Sequence, residues 1–237
     1  MTNALHTLSI DIGGTGLKAS VLDEAGNMAV DRVRVDTPKP CPPDVMIATL
    51  TTLVADLPEY HRISVGFPGV VRKGKILTAP NIGTESWKGF DLATALGEAL
   101  GNKPVKVIND ADMQGLAAIV GDGVEMVITL GTGFGTGIYI DGKLGPHLEM
   151  AHHPFRKGET YDQVLGDEGR RVAGTKTWRK YVQEAIYNLE VLTNFDHLYI
   201  GGGNSARLVD KVELASNIHL IDNAAGILGG IKIWSAE

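Results

Sequence analysis

The sequence predicts an α/β protein of two similar domains, and two observations carry that prediction. Residues 8–12 alternate apolar and polar side chains as a strand does, Gly13-Gly14-Thr15-Gly16 interrupt them, and two more strands follow. Residues 126–130, a glycine-rich turn and residues 137–141 then repeat the pattern. Each opening is followed by alternating helices and strands, the order of an α/β domain. The repetition places the break near residues 112–123. It gives domains 1–112 and 113–222, with the last helix, within 223–237, returning to complete the first.

Taken in order, residues 8–12, 17–22 and 28–35 form an antiparallel meander with a turn at Glu24-Ala25-Gly26-Asn27. The prolines of residues 37–43 make a loop. Asp44 caps a helix running to about Leu57, where Pro58 stops it. Residues 62–67 form a strand, 70–78 a small hairpin, 90–100 a helix, 105–108 a strand and 111–120 a helix. After the second meander a long helix spans 175–194. Residues 198–200, 205–212, 218–221 and 223–234 read as strand, helix, strand and helix.

Composition narrows the class. The only cysteine is Cys41, so no intramolecular disulfide forms and a reducing cytoplasm is expected. No apolar run approaches the ~20 residues that cross a bilayer, and Met1 to His6 lack the charged and apolar regions of a signal peptide. A membrane partner is therefore not expected. The formal charge of −6, from 22 basic and 28 acidic residues, argues against nucleic acid as a partner. Glycine is in excess, with 30 in 237 residues against an average of ~7%, and its clusters are where function is sought.

The first cluster, Gly13-Gly14-Thr15-Gly16, lies between two strands. Glycines there let backbone N–H groups approach an oxyanion without Cβ interference. Thr15 adds a hydroxyl donor, and Asp11 at the strand end suits Mg²⁺ held through water. An ordinary glycine hairpin has the same residues. In the second cluster Gly131, Gly133, Gly135 and Gly137 alternate. In extended chain they share a face, a bare groove beside Thr132 and Thr136 that fits a phosphate chain; a bulged barrel strand is the alternative. Gly201-Gly202-Gly203 follow a strand and precede a helix, presenting N–H groups to an anion or nucleotide.

Two tempting motifs fail. Gly69 to Lys75 nearly match a P-loop, but Ile76 stands where a Ser or Thr is needed. Gly201, Gly203, Ala206 and Asp222 resemble a dinucleotide fingerprint, which would make an oxidoreductase, but only 15 residues follow Asp222.

Asn109-Asp110-Ala111 lie where a strand becomes a helix. A carboxylate there projects from the carboxyl end of a sheet, the helix N-terminus favours its ionised form, and it serves either as a general base or as a plain N-cap. Glu149 and His152, three residues apart, bracket vicinal hydroxyls or are structural. His152-His153 with Glu149 lack the spacing of a zinc site.

Together these clusters resemble the ROK family of sugar kinases, within the actin/hexokinase-like ATPase superfamily. The resemblance is carried in order by Asp11-Ile12-Gly13-Gly14-Thr15, Gly66-Phe67-Pro68-Gly69, Ala79-Pro80-Asn81, Trp87 to Asp91 and Val107 to Ala111. It continues through Leu130 to Gly137, Glu149 to His152, Gly201 to Gly203 and Ala225 to Gly229. It implies two ribonuclease H-like (actin-like ATPase) domains with a cleft between them, and a glucokinase that moves a phosphoryl group from polyphosphate or ATP to the 6-hydroxyl of a hexose. Asp110 would be the base, and Asn81, Asn109, Asp110, Glu149, His152 and Glu168 would hold the sugar. Asp11, Gly13, Gly14, Thr15, Lys18, Gly131, Thr132, Gly133, Gly135, Gly201, Gly202 and Gly203 would hold the phosphates, with Mg²⁺ on Asp11 through water. A homodimer is also implied.

Two departures matter. Ala151 replaces the glycine of E-x-G-H, and the family's C-x-C-G-x-x-G-C zinc knot is absent, so no zinc is expected. In this the chain resembles the zinc-less polyphosphate-dependent members. A non-catalytic sugar-binding regulator on the same fold, or a kinase for mannose, fructose or an N-acetylated sugar, remains the alternative. Arg170, Arg171, Lys176, Arg179 and Lys180, with no acid among residues 169–180, either track a polyphosphate chain or form a solvated helix face.

Overall fold

The computed structural model describes residues 5–221 and 225–234; Asp222 and the ends expected for the last helix at 223 and 237 lie outside them. The chain divides into two compact units, Met1–Ala117 with Ala224–Glu237, and Ala118–Asn223.

In the first unit β1 (Thr7–Ile12), β2 (Gly16–Leu22) and β3 (Val33–Asp36) form an antiparallel meander. Helix α1 (Pro43–Val54) then leads to β4 (Arg62–Phe67), which returns parallel to β1. The hairpin of β5 (Val71–Arg72) and β6 (Lys75–Ile76) follows, then helices α2 (Thr84–Trp87) and α3 (Leu92–Ala99). Strand β7 (Val105–Asn109) runs parallel to β4, and α4 (Asp110–Ala118) starts where it ends. The sheet order is β3-β2-β1-β4-β7.

The second unit repeats this. Strands β8 (Val124–Leu130), β9 (Phe134–Ile140) and β10 (Lys143–Leu144) form the meander. A hairpin of β11 (Pro154–Arg156) and β12 (Glu159–Thr160) leads to helices α5 (Tyr161–Leu165), α6 (Asp167–Ala173) and α7 (Thr175–Thr193). Then β13 (His197–Gly201) lies parallel to β8, and β14 (Ile218–Leu220) parallel to β13. The order β10-β9-β8-β13-β14 reproduces the first sheet in position and direction.

Burial explains why these sequences make these elements. In β1 and β4, Leu8, Ile10, Ile63 and Val65 are fully buried with Met46 and Leu50 of α1 and Leu92 and Leu96 of α3. Alternation sends Ser9 and Ser64 to the other face, where only small side chains fit. There the closing segment docks as α8 (Ala225–Leu228) and a 3₁₀ turn, Gly229–Trp234. Ser9 Oγ donates to Ile227 O at 2.7 Å and Ser64 Oγ to Gly230 O at 2.6 Å. In the second unit α7 buries Trp178, Val182, Ala185, Ile186 and Leu189 at helical spacing.

Some expected elements differ. Pro42, not Asp44, precedes the first helical residue; Asp44 lies in the first turn, and the helix ends at Val54. The third strand shortens to Val33–Asp36, with Met28 making only an isolated bridge to Leu22. The helix expected at 90–100 starts at Leu92, because Asp91 accepts from Thr94 N–H and caps it. The helix expected over 205–212 is a 3₁₀ turn, Ser205–Arg207: Ser205 Oγ turns back to Gly202 O, and Asp210 takes a positive φ of 53° that a helix does not allow. The last helix becomes 3₁₀ at Gly229, where it presses on α4, and Gly230 follows against the sheet.

Candidate functional site

The first unit gathers several expected residues at the carboxyl ends of β1, β4 and β7. The turn after β1 is held by Gly13 N–H to Gly16 O at 3.0 Å, and Thr37 Oγ1 donates to Gly13 O at 2.6 Å. Asn81 lies against this turn, since a Cβ on Gly14 would stand 3.0 Å from Asn81 Cβ. Thr15 and Asn81 are exposed. Lys18 Nζ pairs with Asp11 Oδ2 at 2.9 Å.

Asn109 is buried and acts as the N-cap: its Oδ1 accepts from Ala111 N–H at 2.8 Å and Asp112 N–H at 3.2 Å. Its Nδ2 donates to Gly69 O at 3.1 Å and, more weakly, to Phe67 O at 3.5 Å. This ties the Gly66-to-Gly69 loop to α4 and aims the next residue, Asp110. At Gly69 that loop has no room for a side chain, since a Cβ there would fall 2.0 Å from Thr78 O.

Asp110 is the chemical centre of this set. Protein packs closely around its carboxyl, and burial, followed by the charge of Asp11, raises its pKa to about 7. The helix N-terminus was expected to favour the ionised form. Ala111 N–H does act in that direction, but desolvation and the neighbouring acid outweigh it. A carboxylate poised near neutrality suits a general base.

In the second unit the glycine clusters at 131–137 and 201–203 come together. Gly131 to Gly133 form a bend, with Gly131 N–H on Gly133 O at 3.1 Å, and only Gly135 and Gly137 lie in extended strand. The four therefore do not share one face. Thr136 Oγ1 is buried and donates to Leu148 O, so the bend's hydroxyl is the exposed Thr132. Gly202, at φ 87°, stacks on the end of β8, where a Cβ would meet Leu130 O at 2.4 Å. Asn204 locks the two clusters, with N–H to Leu130 O at 2.8 Å and Nδ2 to Gly131 O at 3.3 Å. A Cβ on Gly131 or Gly203 would meet nothing within 4 Å, so both backbones are open to a ligand.

The ROK family pattern matches residues 7–160. The chain belongs to the ROK family. The polyphosphate glucokinase of Mycobacterium tuberculosis is 30% identical over 251 residues, covering 100% of this ROK chain and 94% of that protein. The structure of inorganic polyphosphate/ATP-glucomannokinase from Arthrobacter sp. strain KM is 31% identical, with a TM-score of 0.87 and 98% of both chains covered. The structure of a ROK family glucokinase from Streptomyces griseus in complex with glucose and AMPPNP has a TM-score of 0.75 at 20% identity, covering 96% of this chain and 98% of that one. The duplicated sheet is thus the ribonuclease H-like, actin-like ATPase fold.

Three further residues expected at the sugar belong to the second unit. Glu149 precedes a 3₁₀ turn, Met150–His152, and its Oε2 is 3.5 Å from His147 Nε2. His152 is exposed at the end of that turn. Glu168 is an exposed residue of α6 paired with Arg171. Arg170 likewise pairs with Asp167 at 2.8 Å, so part of the basic block is neutralised locally.

Sequence patterns did not reveal Asp162, which underpins the Gly131-to-Gly133 bend of this ROK protein. Its Oδ1 accepts from Phe134 N–H at 2.9 Å and occupies the space a Cβ on Gly133 would need, 2.1 Å away. No motif marks it. Asn204 was legible only as the residue after the third glycine.

Among the described residues no group of three or more His, Cys, Asp or Glu is arranged to hold a metal. One carboxylate, Asp11, with Asp110 close enough to feel its charge, fits Mg²⁺, which takes one or two carboxylates and fills its shell with water and substrate phosphate oxygens.

Proposed function

We propose that the protein is a hexose kinase that transfers a phosphoryl group from polyphosphate or ATP to the 6-hydroxyl of a hexose, with glucose as the first substrate to test. The observation that carries this is Asp110: a carboxyl with pKa about 7, at the carboxyl end of β7, beside the glycine turn after β1. Its carboxylate takes the hydroxyl proton as the O6–P bond forms and the donor's P–O bond breaks, leaving a shortened polyphosphate or ADP. Gly13, Gly14, Thr15 and Lys18 of the first unit, and Gly131, Thr132, Gly133, Gly135 and Gly201 to Gly203 of the second, offer N–H, hydroxyl and ammonium donors to phosphate oxygens. Mg²⁺ held through water by Asp11 would neutralise phosphate charge when bound.

Asn81, Glu149 and His152 are assigned to hexose hydroxyls, which a carboxylate, an amide and an imidazole can each bond. Asn109 joins them by releasing its weaker contact to Phe67 O. Glu168 has a smaller part in this reading because Arg171 engages it. Cytoplasmic placement, supported by a lone buried cysteine, belongs to the same proposal. So does assembly as a homodimer, supported by exposed Tyr187, Val191 and Leu192 on α7. Among the described residues no helix is long and apolar enough to cross a membrane.

The test is a matrix of ATP and polyphosphate against glucose, mannose, fructose and an N-acetylated hexose, read by sugar phosphate formed. Turnover in at least one cell, abolished by Asp110→Asn with sugar binding retained, is the expected result. No turnover anywhere would overturn the reading.

A further inference from the structure

The glycine bend at Gly131 continues outward through side chains. Asn204 Nδ2 donates to Gly131 O, Arg207 Nε donates to Asn204 Oδ1 at 3.0 Å, and Arg179 Nε donates to Arg207 O at 2.7 Å. Arg179 stands on α7 with Lys176 one turn before it and Lys180 beside it, the i, i+3, i+4 spacing of one helix face. The block 169–180 therefore divides. Arg170 and Arg171 are spent on Asp167 and Glu168, whereas Lys176, Arg179 and Lys180 make no ion pair among the described residues.

A run of uncompensated cations leading away from a phosphate-binding bend, on a chain of net charge −6, is what a polyanion longer than the bend would follow. A triphosphate is short, but a chain of many phosphates held at the bend must go somewhere, and like charge elsewhere repels it. We infer that Arg207, Arg179, Lys176 and Lys180 form a track that binds the distal part of a linear inorganic polyphosphate. The inference rests on the kinase reading only for the donor's proximal end. The track itself is a binding surface.

Two readouts keep the two ideas separable. In turnover, Lys176→Gln/Arg179→Gln/Lys180→Gln is expected to raise the KM for long-chain polyphosphate, relative to that for tripolyphosphate, roughly tenfold, the size expected for three exposed ion pairs. The salt dependence of the long-chain KM should flatten, as it does when charge contacts are lost. In titration calorimetry with long-chain polyphosphate, which needs no turnover, the same variant should bind roughly tenfold more weakly. Lys176→Gln/Lys180→Gln spares the Arg179 hydrogen bond and should shift both readouts in the same direction. Equal calorimetric affinity of variant and wild type, or an equal rise in KM for tripolyphosphate and long chains, overturns the track. Weakened binding in a protein with no turnover supports the track and removes the kinase reading instead.

Discussion

Lys18 Nζ stands 2.9 Å from Oδ2 of Asp11, and the charge of Asp11 in turn helps hold Asp110 near neutrality. Asp11, with Lys18 paired to it, thus acts on that pKa alongside burial, the larger cause. Lys18→Met leaves Asp11 less compensated, so the pKa of Asp110 rises and the acid limb of kcat/KM moves to higher pH. Asp11→Asn removes the negative charge, so the limb moves to lower pH. Opposite shifts of roughly one pH unit in the two profiles are expected. Shifts of the same sign would break the link.

Asp110 also costs stability. Its unfolded carboxyl titrates near 3.8 and its folded one near 7, so over that interval the folded protein holds a proton that the unfolded chain has lost. Stability therefore falls as pH rises from about 4 and levels off above about 7. Asp110→Asn has no such titration. Unfolding in urea should show the variant more stable at pH 8, by up to about 4 kcal/mol, with the gap closing toward pH 4. A gap that widens on acidification would mean the group is ionised in the fold.

Asp162 offers a test of the phosphate role proposed for the Gly131-to-Gly133 bend. Asp162→Ala removes the acceptor for Phe134 N–H and leaves a space beside Gly133. Asp162→Asn keeps an oxygen acceptor of the same shape. The donor KM should rise about tenfold in the alanine variant, as loss of one part-buried hydrogen bond to a carboxylate implies, and recover in the asparagine variant, while the sugar KM stays near wild type. Loss in both variants would point to the charge rather than to the hydrogen bond.

Much of this fold was legible because its signals are local. Gly13-Gly14-Thr15-Gly16 and the cluster starting at Gly131 announce turns by composition, and the alternation in β1 and β4 shows period two. What escaped depends on distant partners. The helix expected at 205–212 collapses because Asn204 and Gly202 are drawn to the end of β8, a contact across some seventy positions that no window contains. The pairing of exposed Glu168 with Arg171, one helical turn away, is likewise marked by no motif. The raised pKa of Asp110 was not legible, because its first two causes, burial and the charge of Asp11, arise only when β1 and β7 share a sheet.

The closing segment gives the last prediction. Gly229 passes so near α4 that a Cβ there would lie 1.7 Å from Met113 O, and the next glycine's would lie 2.2 Å from Ser9 Oγ. Gly229→Ala cannot be absorbed by a side-chain rotation, because the obstacle is backbone. The segment must lift, and the bonds from Ser9 to Ile227 O and from Ser64 to Gly230 O stretch with it. Overpacking of this kind costs about 1–3 kcal/mol, and each buried hydroxyl that loses its acceptor adds about 1 kcal/mol or more. Urea unfolding should show a loss in that range or above it. Hydrogen exchange should speed up in β1, β4 and residues 225–234, while β8 and β13, built on a separate core, keep their protection. Uniform loss of protection across both sheets would mean that the two units unfold as one.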